Sequence, residues 1–99
     1  MKAYNLIIKE EAKVEISDAY AWYEEQQNNL GERFLDVLDK CFSLILSNPK
    51  LFPVKHKNMR QGLLNDFPFA VIYEIENHDI VVFAVFHTSP KPDSWKNRT

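Results

Sequence analysis

Residues 23–34 read Tyr-Glu-Glu-Gln-Gln-Asn-Asn-Leu-Gly-Glu-Arg-Phe, and the reading of this stretch decides the fold. Upstream of it, Ala12, Ile16, Ala19, Tyr20 and Tyr23 recur at helical spacing, while Glu11, Glu15, Asp18 and Glu25 face elsewhere. That pattern predicts an amphipathic helix from Glu10 onward. Glu10 and Glu11 in its first turn suit the positive end of the helix dipole. Asn28-Asn29-Leu30-Gly31 supplies a helix stop, with Gly31 able to adopt a left-handed conformation. A second helix is then predicted from about Glu32 to Leu46. Phe34, Leu38, Cys41, Phe42 and Ile45 share one of its faces, and Leu35, Val37, Leu44 and Leu46 widen the apolar stripe. So short a connection makes the two helices an antiparallel hairpin.

Outward from the hairpin the period changes. Ala3 to Ile8 is short, apolar and β-prone. Ser47-Asn48-Pro49 ends the second helix, because Pro49 disfavours helical geometry at Asn48. A strand is expected around Val54 to Leu64, bounded by Phe52-Pro53 and Asp66-Phe67-Pro68. Strands at Phe69 to Glu76 and Ile80 to His87 follow, joined tightly at Asn77-His78. The predicted order is β-α-α-β-β-β, an α+β arrangement with the helical hairpin packed on a mostly antiparallel four-stranded sheet. One domain, residues 1–99, is expected, with 88–99 as a C-terminal tail.

The register of the last two strands follows from burial. With Ile75 opposite Ile80, Phe69, Val71, Tyr73 and Ile75 share a helix-facing side with Ile80, Val82, Ala84 and Phe86. A shift by one residue would carry Glu74 into the core, which is costly. The outer face then holds Ala70, Ile72, Glu74 and Glu76 with Val81, Phe83, Val85 and His87. That face is too apolar to be simply solvated, so either a partner segment or the chain's own tail is expected to cover it.

Composition narrows the function classes. The apolar fraction of 45% excludes a disordered tail. Cys41 is the only cysteine, so no internal disulfide forms, and its apolar setting predicts a buried, inert thiol. Three scattered His with one Cys lack metal-ligand spacing, so neither a metal nor another cofactor is expected. Leu6-Ile7-Ile8 is too short for a signal peptide, and Ile80 to Phe86 is too short for a membrane span, so the cytoplasm is the expected location. A net charge of −2 argues against an indiscriminate nucleic-acid binder. The charge is uneven, however. Residues 1–49 sum to −4 and residues 50–99 to +2. Lys50, Lys55, Lys57 and Arg60 lie close together with His56 and no acid among them.

Tyr23-Glu24-Glu25-Gln26 followed by Leu30-Gly31-Glu32-Arg33-Phe34 resembles the inter-helix signature of the RelE/ParE superfamily of toxins. Asn48-Pro49, Phe52-Pro53, Arg60, Phe67-Pro68-Phe69, Tyr73 and the ending His87, Pro92, Trp95 and Arg98 continue the likeness in order, across essentially the whole chain. The resemblance implies the toxin half of a type II toxin–antitoxin pair, neutralised by a cognate antitoxin. In the ParE-like branch the implied target is DNA gyrase; in the RelE-like branch it is messenger RNA in the ribosomal A site. The inter-helix motif and the ending look closer to ParE, although Ser89-Pro90-Lys91 stands where that branch often carries a further Arg. A decayed member that only binds antitoxin is a third reading. No membrane partner is expected, nor sequence-specific DNA binding by the chain alone.

Each candidate residue has a functional and a plain reading. His87 can serve as a general acid or base, or simply be a strand-end hydrogen-bonding side chain, the plainer reading. Under a RelE-like reading Arg60, Lys57 and His87 are the catalytic candidates, with cations beside the scissile phosphate. Under a binding reading Lys55, Lys57, Arg60, Trp95 and Arg98 contact the target or an acidic antitoxin tail. Lys55 and Lys57, two apart, are expected to project on one side of a strand, where lysines also guard an edge against aggregation. Arg60 is the strongest single candidate, since its planar fork binds phosphate or carboxylate through two bonds. Tyr73 is expected in the core with a bonded hydroxyl, and Tyr20, Trp22 and Tyr23 in helix packing. Trp95 by default packs the tail onto the domain.

Overall fold

In the computed structural model, which describes residues 3–88, the chain runs β1 (Asn5–Ile8), α1 (Glu10–Gln26), α2 (Leu30–Ser47), β2 (Val54–His56), β3 (Met59–Leu63), β4 (Phe69–Glu76) and β5 (Asp79–His87). The five strands form one sheet in the order β1-β5-β4-β3-β2. β1 pairs parallel to β5, and the remaining pairings are antiparallel. The α+β helical hairpin on a sheet is as expected, with one strand more. The extra strand arises because the predicted run from Val54 is interrupted. Lys57 takes a left-handed φ of 54°, and Lys57-Asn58 turns the chain back so that His56 faces Met59.

Gly31 departs from its expected role. It lies inside α2, and the left-handed residue at the helix junction is Asn29, with φ 70°. Asn29 is among the residues that adopt this conformation most readily. What Gly31 supplies is close approach. A Cβ there would stand 2.6 Å from the Tyr20 carbonyl oxygen and 2.6 Å from Glu24 Cγ. The space is taken by Glu24, whose carboxylate accepts the backbone N–H groups of Gly31 (2.8 Å), Glu32 (3.2 Å) and Asn29 (3.3 Å). Asn29 makes no side-chain cap of its own. Glu24 therefore caps α2 from the neighbouring helix, placing negative charge at the positive end of its dipole.

The core lies between the hairpin and the sheet. Ala12, Ala19 and Tyr23 come from α1; Phe34, Leu38, Cys41, Phe42 and Ile45 come from α2. Tyr23 and Phe34 pack with Phe67 and Phe69, ring centroids 4.9 to 6.1 Å apart, which ties the helical junction to the start of β4. Burial pushes the Cys41 thiol up to about 11, so the thiolate is scarce at neutral pH.

Ile75 does face Ile80, but the pairing shifts once: Tyr73 faces Val82 while Ile72 faces Ala84. Phe83 is the extra residue, a β-bulge, and beyond it every side chain of β5 changes face. Val85 consequently joins the helix-facing core, while Ala84 and Phe86 join Ala70, Ile72 and Met59 in a second cluster. The expected assignment of Ala84, Val85 and Phe86 to faces is thus reversed. The second cluster is buried, with Ile72 2% and Phe86 6% exposed. The tail, one of the two expected covers of that face, lies outside the described residues.

Beyond Val82, β5 has outrun β1, and α1 takes over its edge. The Lys9 N–H donates to the Val82 carbonyl at 3.0 Å, and the Val85 N–H donates to the Glu15 carboxylate at 2.9 Å. Glu15 thereby supplies the acceptor that a longer β1 would have provided.

Candidate functional site

The basic stretch maps onto the β2–β3 edge of the sheet and the loop leading into it. Lys50, Lys55 and Lys57 are exposed, whereas His56 and Arg60 are half-buried. Lys57 sits in the hairpin turn, and Lys55 lies at a register irregularity between Val54 and His56. The expected row of two lysines on one side of a strand is therefore absent; they reach solvent from a twisted tip. β2 is the outermost strand, which agrees with lysines guarding an edge.

Arg60 has a defined task. Its guanidinium donates to the Phe52 carbonyl oxygen at 2.7 Å, with a longer contact of 3.4 Å to that of Lys50. Tyr73, directly opposite Arg60 across the strand pair, donates its hydroxyl to the Pro49 carbonyl oxygen at 2.6 Å. Burial holds the Tyr73 phenol above its ordinary range, and the Arg60 charge and a backbone bond from Phe52 only partly oppose this. Two side chains of the sheet thus pin three carbonyls of the α2–β2 loop. Gly62 lets Phe52 lie across β3, since a Cβ there would stand 3.1 Å from its ring.

The pinned loop borders an apolar surface. Leu44, Leu51, Val54 and Leu63 are each about half exposed, at 50%, 51%, 50% and 59%. A cleft of about 150 Å³ runs between α2 and the β3–β4 connection, lined by Val37, Lys40, Cys41, Leu44, Phe52 and Leu63 among others. Lys40 and Asp66 are the charged residues of its lining, and the exposed Lys50 and Lys55 flank Leu51 and Val54 in sequence. The surface thus offers apolar side chains with mostly cationic neighbours to a protein partner.

His87 is elsewhere. It ends β5 opposite Phe69, with the two rings 5.1 Å apart and edge-to-face. Arg60 is opposite Tyr73, four residues along β4, on the strand beyond. Strand geometry separates the two by about 13 Å along the sheet and about 10 Å across it. Lys57 is farther out still, in the turn. The structure does not bring Arg60, Lys57 and His87 together around one reacting atom. Trp95 and Arg98 lie outside the described residues. Sequence reasoning missed Glu24 and Glu15, whose carboxylates satisfy backbone N–H groups distant in sequence; the inter-helix motif was the available signal for Glu24. Among the described residues no group of three His, Cys, Asp or Glu is placed to hold a metal, and no helix is long and apolar enough to cross a membrane.

A helical hairpin laid on a five-stranded sheet, with the loop after α2 clamped by β3 and β4, defines a RelE/ParE-type domain. A family profile described as the ParE toxin of the type II toxin–antitoxin system parDE matches residues 6–92. The chain belongs to that family and is a toxin-family protein of a type II system. Its fold is similar to that of a chain in the chromosomal ParDE toxin–antitoxin system from P. aeruginosa, with TM-score 0.76 and 11% identity, covering 86% of this chain and 96% of that one. It is also similar to a chain in the intact E. coli RelBE toxin–antitoxin complex, with TM-score 0.63 and 16% identity, covering 89% and 100%. No curated protein matches the sequence significantly.

Proposed function

We propose that this chain arrests bacterial growth from the cytoplasm by binding and inhibiting DNA gyrase, without chemistry of its own, and that a cognate antitoxin neutralises it. Membership of the ParE family carries the reading. The spacing of the candidate catalytic groups supports it, because general acid–base cleavage needs groups within hydrogen-bond reach of one substrate. Antitoxin and target are both read as protein partners, contacted through the cationic β2–β3 edge and its apolar cleft.

Inducing the chain without antitoxin tests this. Double-strand breaks and an SOS response are expected, with growth restored on co-expression of the protein encoded beside it. A-site cleavage of transcripts would replace this mechanism with the ribosome-dependent endoribonuclease, the reading favoured by the RelBE likeness. Unimpaired growth would sink both and leave a member that only binds antitoxin. Under the gyrase reading His87→Ala is mild, and removal of residues 90–99 is more damaging.

A further inference from the structure

The flank of α2 facing away from the basic edge carries a second, larger groove of about 540 Å³. Its floor is apolar: Leu6 and Ile8 of β1, Ile16 of α1, and Leu35, Leu38 and Phe42 of α2. Its rim is acidic. Glu32, Asp36 and Asp39 line it at i, i+4 and i+7, one stripe along α2. Glu32 accepts the Tyr20 hydroxyl at 3.1 Å, whereas Asp36 and Asp39 make no hydrogen bond or ion pair among the described residues. β1 is the terminal strand of the sheet, so its far backbone edge has no strand partner among the described residues.

We infer that this groove is a docking site for a basic amphipathic segment of a protein partner, with apolar side chains on the floor and Lys or Arg against Asp36, Asp39 and Glu32. The argument is one of charge complementarity. An apolar floor accepts any hydrophobic segment, but three carboxylates along one wall reject acidic segments and nucleic-acid backbones and favour cations. The opposite edge, with Lys50, Lys55 and Lys57, has the reverse preference. The domain is therefore electrically polarised across α2, and a chain wrapping it meets an acidic groove on one flank and a basic edge on the other. This site does not depend on the gyrase reading, and it holds whichever target the protein has.

The test uses the full chain, isotope-labelled for NMR, and two synthetic amphipathic helices. One carries leucine on one face and lysine on the other; the second has glutamate in place of lysine. The lysine peptide is expected to bind about tenfold or more tightly than the glutamate peptide at low salt. The perturbed amides should cluster at Leu6, Ile8 and Phe42. The double variant Asp36→Lys with Asp39→Lys, both on the exposed surface, should lose that preference while keeping its fold. Equal affinity for the two peptides, perturbations gathered at the β2–β3 edge, or an unchanged preference in the double variant would each overturn the proposal. Because binding is read directly, its failure is distinguishable from an absence of toxicity.

Discussion

Replacing Glu24 by alanine should loosen the helical hairpin, and the size of the effect follows from what its carboxylate touches. The bonds to Asn29 and Glu32, at 3.3 and 3.2 Å, are exposed, so water recovers most of their value. The bond to the Gly31 N–H is shorter, 2.8 Å, and partly buried. A charge-assisted bond of that kind is worth about 1.5 to 2 kcal/mol. Losing the anion at the start of α2 adds roughly 0.5 kcal/mol. Glu24→Ala should therefore cost about 2 kcal/mol, or about 8 to 16 °C in Tm for a domain of this size. Glu24→Gln keeps an acceptor and loses the charge, so about 1 kcal/mol is expected, with weaker dependence on salt than the native pair shows. Urea unfolding monitored through the tryptophans, with thermal melts at low and high salt, measures both. If Glu24→Ala lies within about 0.5 kcal/mol of the parent, the cross-helix cap is not what holds the junction, and the reasoning fails.

Gly31→Ala should cost more than about 2 kcal/mol in the same unfolding assay, because its Cβ meets the Tyr20 carbonyl as well as a movable side chain. Arg60→Ala removes the 2.7 Å bond to Phe52 and should destabilise by about 2 kcal/mol while exposing the loop before β2 to proteases; toxicity lost only in step with stability would mark Arg60 as a brace. Tyr73→Phe leaves the Pro49 carbonyl without its donor and should cost about 1 to 2 kcal/mol by urea unfolding. Glu74 is held above the ordinary carboxyl value of 4.5, first by a hydrogen bond shared with Glu76 and then by burial. Its folded form holds the proton more tightly than the unfolded chain, so its contribution is full at low pH and lost as pH rises through the raised value. Glu74→Gln should accordingly raise Tm at pH 7, with the gain vanishing below about pH 4.5 in a pH series of melts.

Periodicity made the helices and the last hairpin legible. Phe34, Leu38, Cys41, Phe42 and Ile45 are all buried on one face of α2, and β4 has the predicted bounds. The features that escaped depend on single-residue geometry that no period encodes. One bulge at Phe83 exchanged the faces of Ala84, Val85 and Phe86, because alternation is valid only while the register holds. A left-handed Lys57 split one expected strand in two, at a residue with no special turn propensity. Arg60 and Tyr73 were singled out as individuals, and their joint action on the loop at 49–52 needed the cross-strand pairing to become visible.

The residues that carry the family likeness share a physical character. Tyr23, Phe34, Phe67 and Phe69 interlock as rings; Glu24 and Gly31 form the helical junction; Arg60 and Tyr73 clamp the loop that Asn48-Pro49 and Phe52-Pro53 punctuate. Each is spent on intramolecular packing or on backbone groups, so these positions define the scaffold. Under the two proposals above, a partner would touch what remains: the lysines and half-exposed leucines near the β2–β3 edge, and the carboxylates along the other flank of α2. The scaffold leaves those surfaces free to vary, because exposed charges contribute little to stability. A charge reversal at Asp36 and Asp39 should therefore leave Tm within about 2 °C of the parent while changing what the domain binds. Variants at Glu24 or Gly31 should do the opposite, lowering Tm while leaving the charge preference of the remaining folded protein intact.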